Sequence, residues 1–114
     1  MRRHKYFARS TECIQEHKHP SAKESRRCND LHILQATGQI TNLQYEPKFR
    51  FEINGKPVMM RNGQCASYRP DFSYVENGKT VCEDVKSKAT MTEAFALRAA
   101  LFRHLYPDIE LRMV

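Results

Sequence analysis

The pattern of apolar and polar positions shows two β-rich runs, residues 70–76 and 79–86, separated only by Asn77-Gly78. An Asn-Gly pair between such runs marks a type I′ hairpin, because both central residues must take positive φ. A two-residue loop sets Glu76 opposite Lys79, Tyr74 opposite Val81 and Asp71 opposite Asp84. Residues 49–53 alternate strictly, with Phe49, Phe51 and Ile53 against Arg50 and Glu52, and read as a half-buried strand. Asn54-Gly55 then signals a second hairpin with a return strand over 57–60, and Asn62-Gly63-Gln64 a further turn. Ahead of these, 40–46 reads as extended or loop up to Pro47, and 11–17 as a short edge strand or irregular lead-in.

Two segments carry a helical period. Ser21-Ala22-Lys23-Glu24 is a capping-box pattern that opens a helix to about Thr37, with Gly38 just beyond its end. Cys28, Leu31, Leu34 and Gln35 form its inward stripe, and Glu24 falls on that stripe two turns earlier. The second helix spans 91–106, capped by Thr90 or Thr92 after a loop over 87–89 and stopped by Pro107. Its expected stripe is Ala94, Leu97, Leu101 and Leu105, with Phe95 and Phe102 beside it. Residues 109–114 alternate again and close the chain as a strand. Helix, three or more antiparallel strands, helix and strand predict an α/β sandwich with a mixed sheet flanked by two helices.

A chain of 114 residues is expected to form one domain, 1–114, with 1–9 as a basic arm. No apolar run approaches the roughly 20 residues of a membrane span, and no hydrophobic core of a secretory signal follows the basic start. The net charge of +6 favours polyanionic partners. Arg2, Arg3 and Lys5, interleaved with Tyr6 and Phe7, suit contact with a nucleic-acid backbone, or equally a solvated terminus. Lys23, Arg26 and Arg27 lie off the inward stripe of the first helix, where they can track phosphates. Arg69 and Lys88, which flank the central hairpin, are further candidates for contact with nucleic acid. Cys13, Cys28, Cys65 and Cys82 lack paired spacing and read as reduced thiols. A zinc site from Cys13, His17, His19 and Cys28 lacks the tight ligand spacing of structural zinc modules. None of the histidines pairs with Ser or Cys in a pattern that suggests a triad.

The chemistry concentrates on the central hairpin. Carboxylates directly opposed across two strands bring their Cβ atoms to about 5 Å, a destabilising arrangement that a bound cation relieves. The period of two puts Lys86 on the face of Asp71 and Asp84, and Glu83 on the other face with Phe72, Tyr74, Val81 and Val85. Two acids and a lysine on one face form a hard-cation site with a point charge beside it, or an exposed face on which Lys86 neutralises solvated acids. Glu24 either caps Ser21 or leans over the sheet toward Asp71.

Pro70-Asp71 followed by Asp84-Val85-Lys86 resembles the PD-(D/E)xK signature of a large nuclease superfamily. SAKESRR, ITNLQYEPKF, YRPDFSYVENGK, VCEDVKS and LFRHLYPDIELR follow one another as in its small phage-encoded, Holliday-junction-resolvase-like members. The resemblance runs from Tyr6 onward. It implies an αβββαβ restriction-endonuclease-like core in the cytoplasm of a bacterial host cell. It implies Mg²⁺, with Mn²⁺ as a substitute, held by Asp71, Asp84, Glu24 and the Val85 carbonyl, and Lys86 as the positioning or proton-accepting group. The expected activity is metal-dependent endonucleolytic cleavage of branched or otherwise structured DNA, with a homodimer needed for symmetric cutting of a junction. The competing expectation is a DNA-binding or phage accessory protein that keeps the fold without turnover.

Overall fold

The central hairpin sets the register of the sheet. In the computed structural model, which describes residues 11–12, 18–19, 21–86 and 91–114, β8 (Phe72–Glu76) and β9 (Lys79–Asp84) are antiparallel. Their partners include Glu76–Lys79, Tyr74–Val81 and Phe72–Glu83, as the two-residue loop requires. Asn77 and Gly78 take φ of 53° and 77°, the left-handed pair of a type I′ turn. Both strands stop short of the expected 70 and 86 because the next rung is not backbone to backbone. The Asp71 carboxylate accepts the Val85 N–H at 2.8 Å.

β3 (Thr41–Tyr45) pairs antiparallel with β8, so the segment read as extended or loop is an edge strand. A register shift between Thr41 and Gln44, with Asn42 at positive φ, bends it. β10 (Glu110–Met113) lies parallel to β9, giving a mixed sheet in the order β10-β9-β8-β3. The chain between β3 and β8 makes small antiparallel pairs: β4 (Phe49–Arg50) with β7 (Ser67–Tyr68), and β5 (Glu52–Ile53) with β6 (Lys56–Pro57). The alternating run 49–53 is interrupted at Phe51, whose N–H goes to the Ala66 carbonyl while its own carbonyl accepts from Val58. Near the start of the chain, β1 (Thr11–Glu12) and β2 (Lys18–His19) form a short ribbon.

Two cores follow from the two faces of the sheet. α1 (Ala22–Ala36) supplies Cys28 and Leu31 to a cluster with Ile40, Phe72, Tyr74 and Val81. Ser21 is its N-cap, accepting the Glu24 N–H at 3.1 Å, and Gly38 follows its end at φ 84°. On the other face, Cys82 packs with Phe51, Tyr68 and Phe102, the last from α2 (Glu93–Leu105). Thr92 caps α2 through the Phe95 N–H. Of the expected stripe Ala94, Leu97, Leu101 and Leu105, the last two pack against this core with Phe95, while Ala94 and Leu97 do not. Leu97 is 62% exposed and Ala99 and Phe102 are buried. Aromatic contacts from Tyr68 to Phe95 and Phe102, and from Phe49 to Phe102 and Tyr106, turn the helix by one row. The fold is thus a mixed α/β arrangement of a mixed sheet and two helices. Among the described residues no helix is long and apolar enough to cross a membrane.

Glu83 is fully buried on the α1 face. Its carboxylate receives both arms of the Arg27 guanidinium, at 2.7 Å each, and the Tyr74 hydroxyl. Arg112 extends this network from Tyr74 to Glu76 and Glu110. Arg27 is therefore an internal partner of Glu83 rather than a surface side chain tracking phosphates. Its guanidinium is held above its ordinary pKa, chiefly by the bond to Glu83. Removing one partner of a buried pair strands the other charge, a loss of about 3–5 kcal/mol. Arg27 is part-exposed, so Arg27→Ala is expected near the lower end, about 3 kcal/mol by urea denaturation. A change within about 0.5 kcal/mol, as at an ordinary surface position, would show that the pair carries no weight.

Candidate functional site

Asp71 and Asp84 gather on the opposite face, where β8 begins and β9 ends. One step beyond the last paired rung, Phe72–Glu83, sets Asp71 opposite Asp84, close enough for each carboxyl to feel the other. Asp84 is 2% exposed. The Tyr68 hydroxyl donates to its Oδ2, and the Lys86 ammonium lies 3.7 Å from its Oδ1. Tyr68 is buried, and burial with the bond to Asp84 pushes its hydroxyl far above the usual tyrosine range, so it remains a donor. Lys86 also sits 4.3 Å above the Phe95 ring, a cation–π contact that holds the ammonium over α2.

Burial pushes the Asp71 carboxyl up to about 7, against the lowering effect of the Val85 N–H, and the neighbouring Asp84 adds to the rise. A buried carboxyl that holds its proton beside a second acid is a place where a divalent cation replaces a proton. Magnesium is commonly held by one or two carboxylates together with waters and substrate phosphate, and the Asp71–Asp84 pair supplies that donor set. Among the described residues no three His, Cys, Asp or Glu side chains form a group able to hold a metal ion. Glu24, 5% exposed on the first turn of α1, thus makes no three-acid cluster with the aspartates. Lys23, its neighbour, reaches the Lys86 carbonyl at 2.9 Å and ties the start of α1 to the end of β9.

Asp84 and Lys86 open into a cleft of about 800 Å³. Tyr68, Phe95 and Thr92 line it together with Lys48, Arg50, Arg69 and Arg98. Arg69, expected from its place beside the hairpin, is there, 4.0 Å from Glu46. Lys48, Arg50, Arg98 and Tyr68 escape sequence reasoning. They come from separate segments, and no spacing along the chain joins them. Arg26 is exposed on α1, away from the cleft lining. Arg2, Arg3, Lys5 and Lys88 lie outside the described residues, as do Cys13 and His17 of the zinc alternative. Cys28, Cys65 and Cys82 are not in disulfides, and burial pushes the Cys82 thiol up to about 12, far from a nucleophilic thiolate.

The fold and the site together define a mixed α/β protein with an aspartate pair and a lysine at the edge of a basic cleft. The chain belongs to the family described as protein of unknown function (DUF1064), whose family model matches residues 3–114. No curated protein and no solved structure matches it.

Because the folded Asp71 carboxyl titrates near 7 rather than 3.8, the folded state binds a proton that the unfolded chain has released between those values. Its contribution to stability therefore falls as pH rises from about 4 to about 7. In EDTA, Asp71→Asn should remove this fall when melting is compared at the two ends of that window. Added Mg²⁺ should raise the wild-type melting temperature more above pH 7 than near pH 5. An identical pH profile in the variant would separate Asp71 from the effect. Tyr68→Phe deletes one donor to a buried carboxylate and should cost about 1–3 kcal/mol. In an Asp84→Ala background that cost should shrink toward zero in a double-mutant cycle. Additive losses would break the link between them.

Proposed function

We propose that this protein is a metal-dependent endonuclease that hydrolyses phosphodiester bonds in DNA, with branched or otherwise structured DNA as its substrate class. The observation that carries the reading is the meeting of Asp71, Asp84 and Lys86 on one face at the edge of a cationic cleft. The order α1, β3, β8, β9, α2, β10, with β4 to β7 inserted before β8, supports an αβββαβ nuclease core.

The chain's own groups divide the work that phosphodiester cleavage needs. Asp71 and Asp84 would hold Mg²⁺ or Mn²⁺ with the Val85 carbonyl, and the ion supplies charge neutralisation and an acidified water. Tyr68 fixes the Asp84 carboxylate by donating to Oδ2. That leaves Oδ1 as the oxygen on the Lys86 side, 3.7 Å from Nζ. Lys86 can then orient the attacking water, accept its proton or hold charge developing on the phosphoryl oxygens. Phe95 beneath the ammonium and the buried carboxylate beside it keep that head group in place. Glu24 stands next to the Lys23 tether and is the third acid by resemblance, acting only if it approaches the pair when a cation is bound.

Incubation of four-way, flap, linear duplex and single-stranded DNA with Mg²⁺ tests the reading, with EDTA as control. Wild type should cut, with preference for the branched forms, and EDTA should stop it. Asp84→Ala and Lys86→Ala should each lose at least about a hundredfold in rate, the scale of a lost general base or charge-stabilising group. Retention of DNA binding by both variants would establish that chemistry alone was removed. Undiminished cutting by Lys86→Ala would take the lysine out of the mechanism. Absence of metal-dependent cutting on every substrate would leave a nuclease-fold binding protein.

A further inference from the structure

We infer that the cleft wall carrying Lys48, Arg50 and Arg98 is the seat of a phosphodiester backbone, gripping phosphates on either side of the one presented to Asp84 and Lys86. The inference deepens the endonuclease reading and rests on it for the position of the scissile phosphate. The grip itself does not depend on cleavage.

Charge arithmetic within the cleft favours a chain of phosphates over a small anion. Five cations line it, namely Lys48, Arg50, Arg69, Lys86 and Arg98, against Asp84 as the acid. Two of the five are compensated in the protein: Lys86 by Asp84 at 3.7 Å and Arg69 by Glu46 at 4.0 Å. Lys48, Arg50 and Arg98 have no carboxylate partner among the described residues, and all three are exposed. Unpaired like charges crowded into a concavity repel one another and destabilise the protein. A bound polyanion offsets that cost, and the low-dielectric walls focus the field that attracts it.

The three cations also differ in origin. Lys48, just before β4, and Arg50, within it, flank Phe49, whose ring packs into the core against Phe102 at 5.0 Å, and both cations are exposed. Arg98 stands on α2 one residue before buried Ala99. Two rigid elements thereby present charge to the same cleft from separate directions. One phosphate would need only one of these contacts beside Lys86. Several spaced phosphates use them all. The fork of an arginine matches phosphate oxygens in pairs, whereas lysine acts as a point charge.

The test is fluorescence anisotropy of a short fluorescein-labelled DNA, single-stranded and duplex, and of RNA with the same sequence, all in EDTA. The proteins are wild type, Arg50→Gln/Arg98→Gln and the control Arg103→Gln, an exposed arginine of α2 outside the cleft lining. The double variant should bind at least about tenfold more weakly. The slope of log affinity against log salt should flatten by about 1.8 on duplex or about 1.4 on single strands, because two phosphates are no longer neutralised. Weakening on DNA, RNA or both names the strand the wall serves. Arg103→Gln should bind within twofold of wild type, and melting curves confirm that each variant is folded. An unchanged salt slope in the double variant, or an equal weakening in Arg103→Gln, overturns the assignment. Tight, slope-sensitive binding without metal-dependent cutting would sink the nuclease reading and leave this one standing.

Discussion

The register of one hairpin constrains everything else in this molecule. A two-residue turn at Asn77-Gly78 admits a single pairing of β8 with β9, and a slip by one residue would exchange the faces of every side chain. That register delivers the adjacent acids Glu83 and Asp84 to opposite sides of the sheet. Glu83 enters the interior, where a guanidinium and a phenol meet it. Asp84 meets a second aspartate, a tyrosine and a lysine beside solvent. Two neighbouring carboxylates of similar intrinsic chemistry thus acquire a structural and a chemical fate from geometry alone.

The helices serve this division. α1 brings Arg27 to neutralise the interior acid and, four residues earlier, Lys23 to hold the Lys86 carbonyl. α2 places Phe95 under the Lys86 ammonium and turns its aromatic row against Tyr68, which in turn steadies Asp84. Few of these contacts are local in sequence. The site is held from both faces of the sheet, so its geometry depends on the packing of the two cores as much as on the hairpin.

What can be read from the chain follows the range of the interactions. The Asn77-Gly78 turn, the Ser21 cap and the face shared by Asp71, Asp84 and Lys86 are short-range consequences of dihedral preference and a period of two, and each is present as expected. Arg27 departs from expectation because its acceptor is far along the chain and helical position alone puts it beside the stripe. The buried row of α2 departs because leucines and phenylalanines form adjacent rows of equal hydrophobicity, and only their aromatic partners on β4 and β7 decide between them. The edge strand β3 lacks clean alternation because a bulge interrupts it. Lys48, Arg50 and Arg98 are ordinary as letters and become a group only when β4 and α2 share a wall.

The rung that ends the hairpin has one more implication. The Val85 amide is bonded to the Asp71 side chain rather than to a neighbouring backbone carbonyl, so the proton on that nitrogen feels the charge state of a carboxylate directly. Its nuclear magnetic resonance signal and its exchange with heavy water are natural gauges of what occupies the acid pair. An observer could follow titration or ion capture there without attaching a probe or watching any reaction.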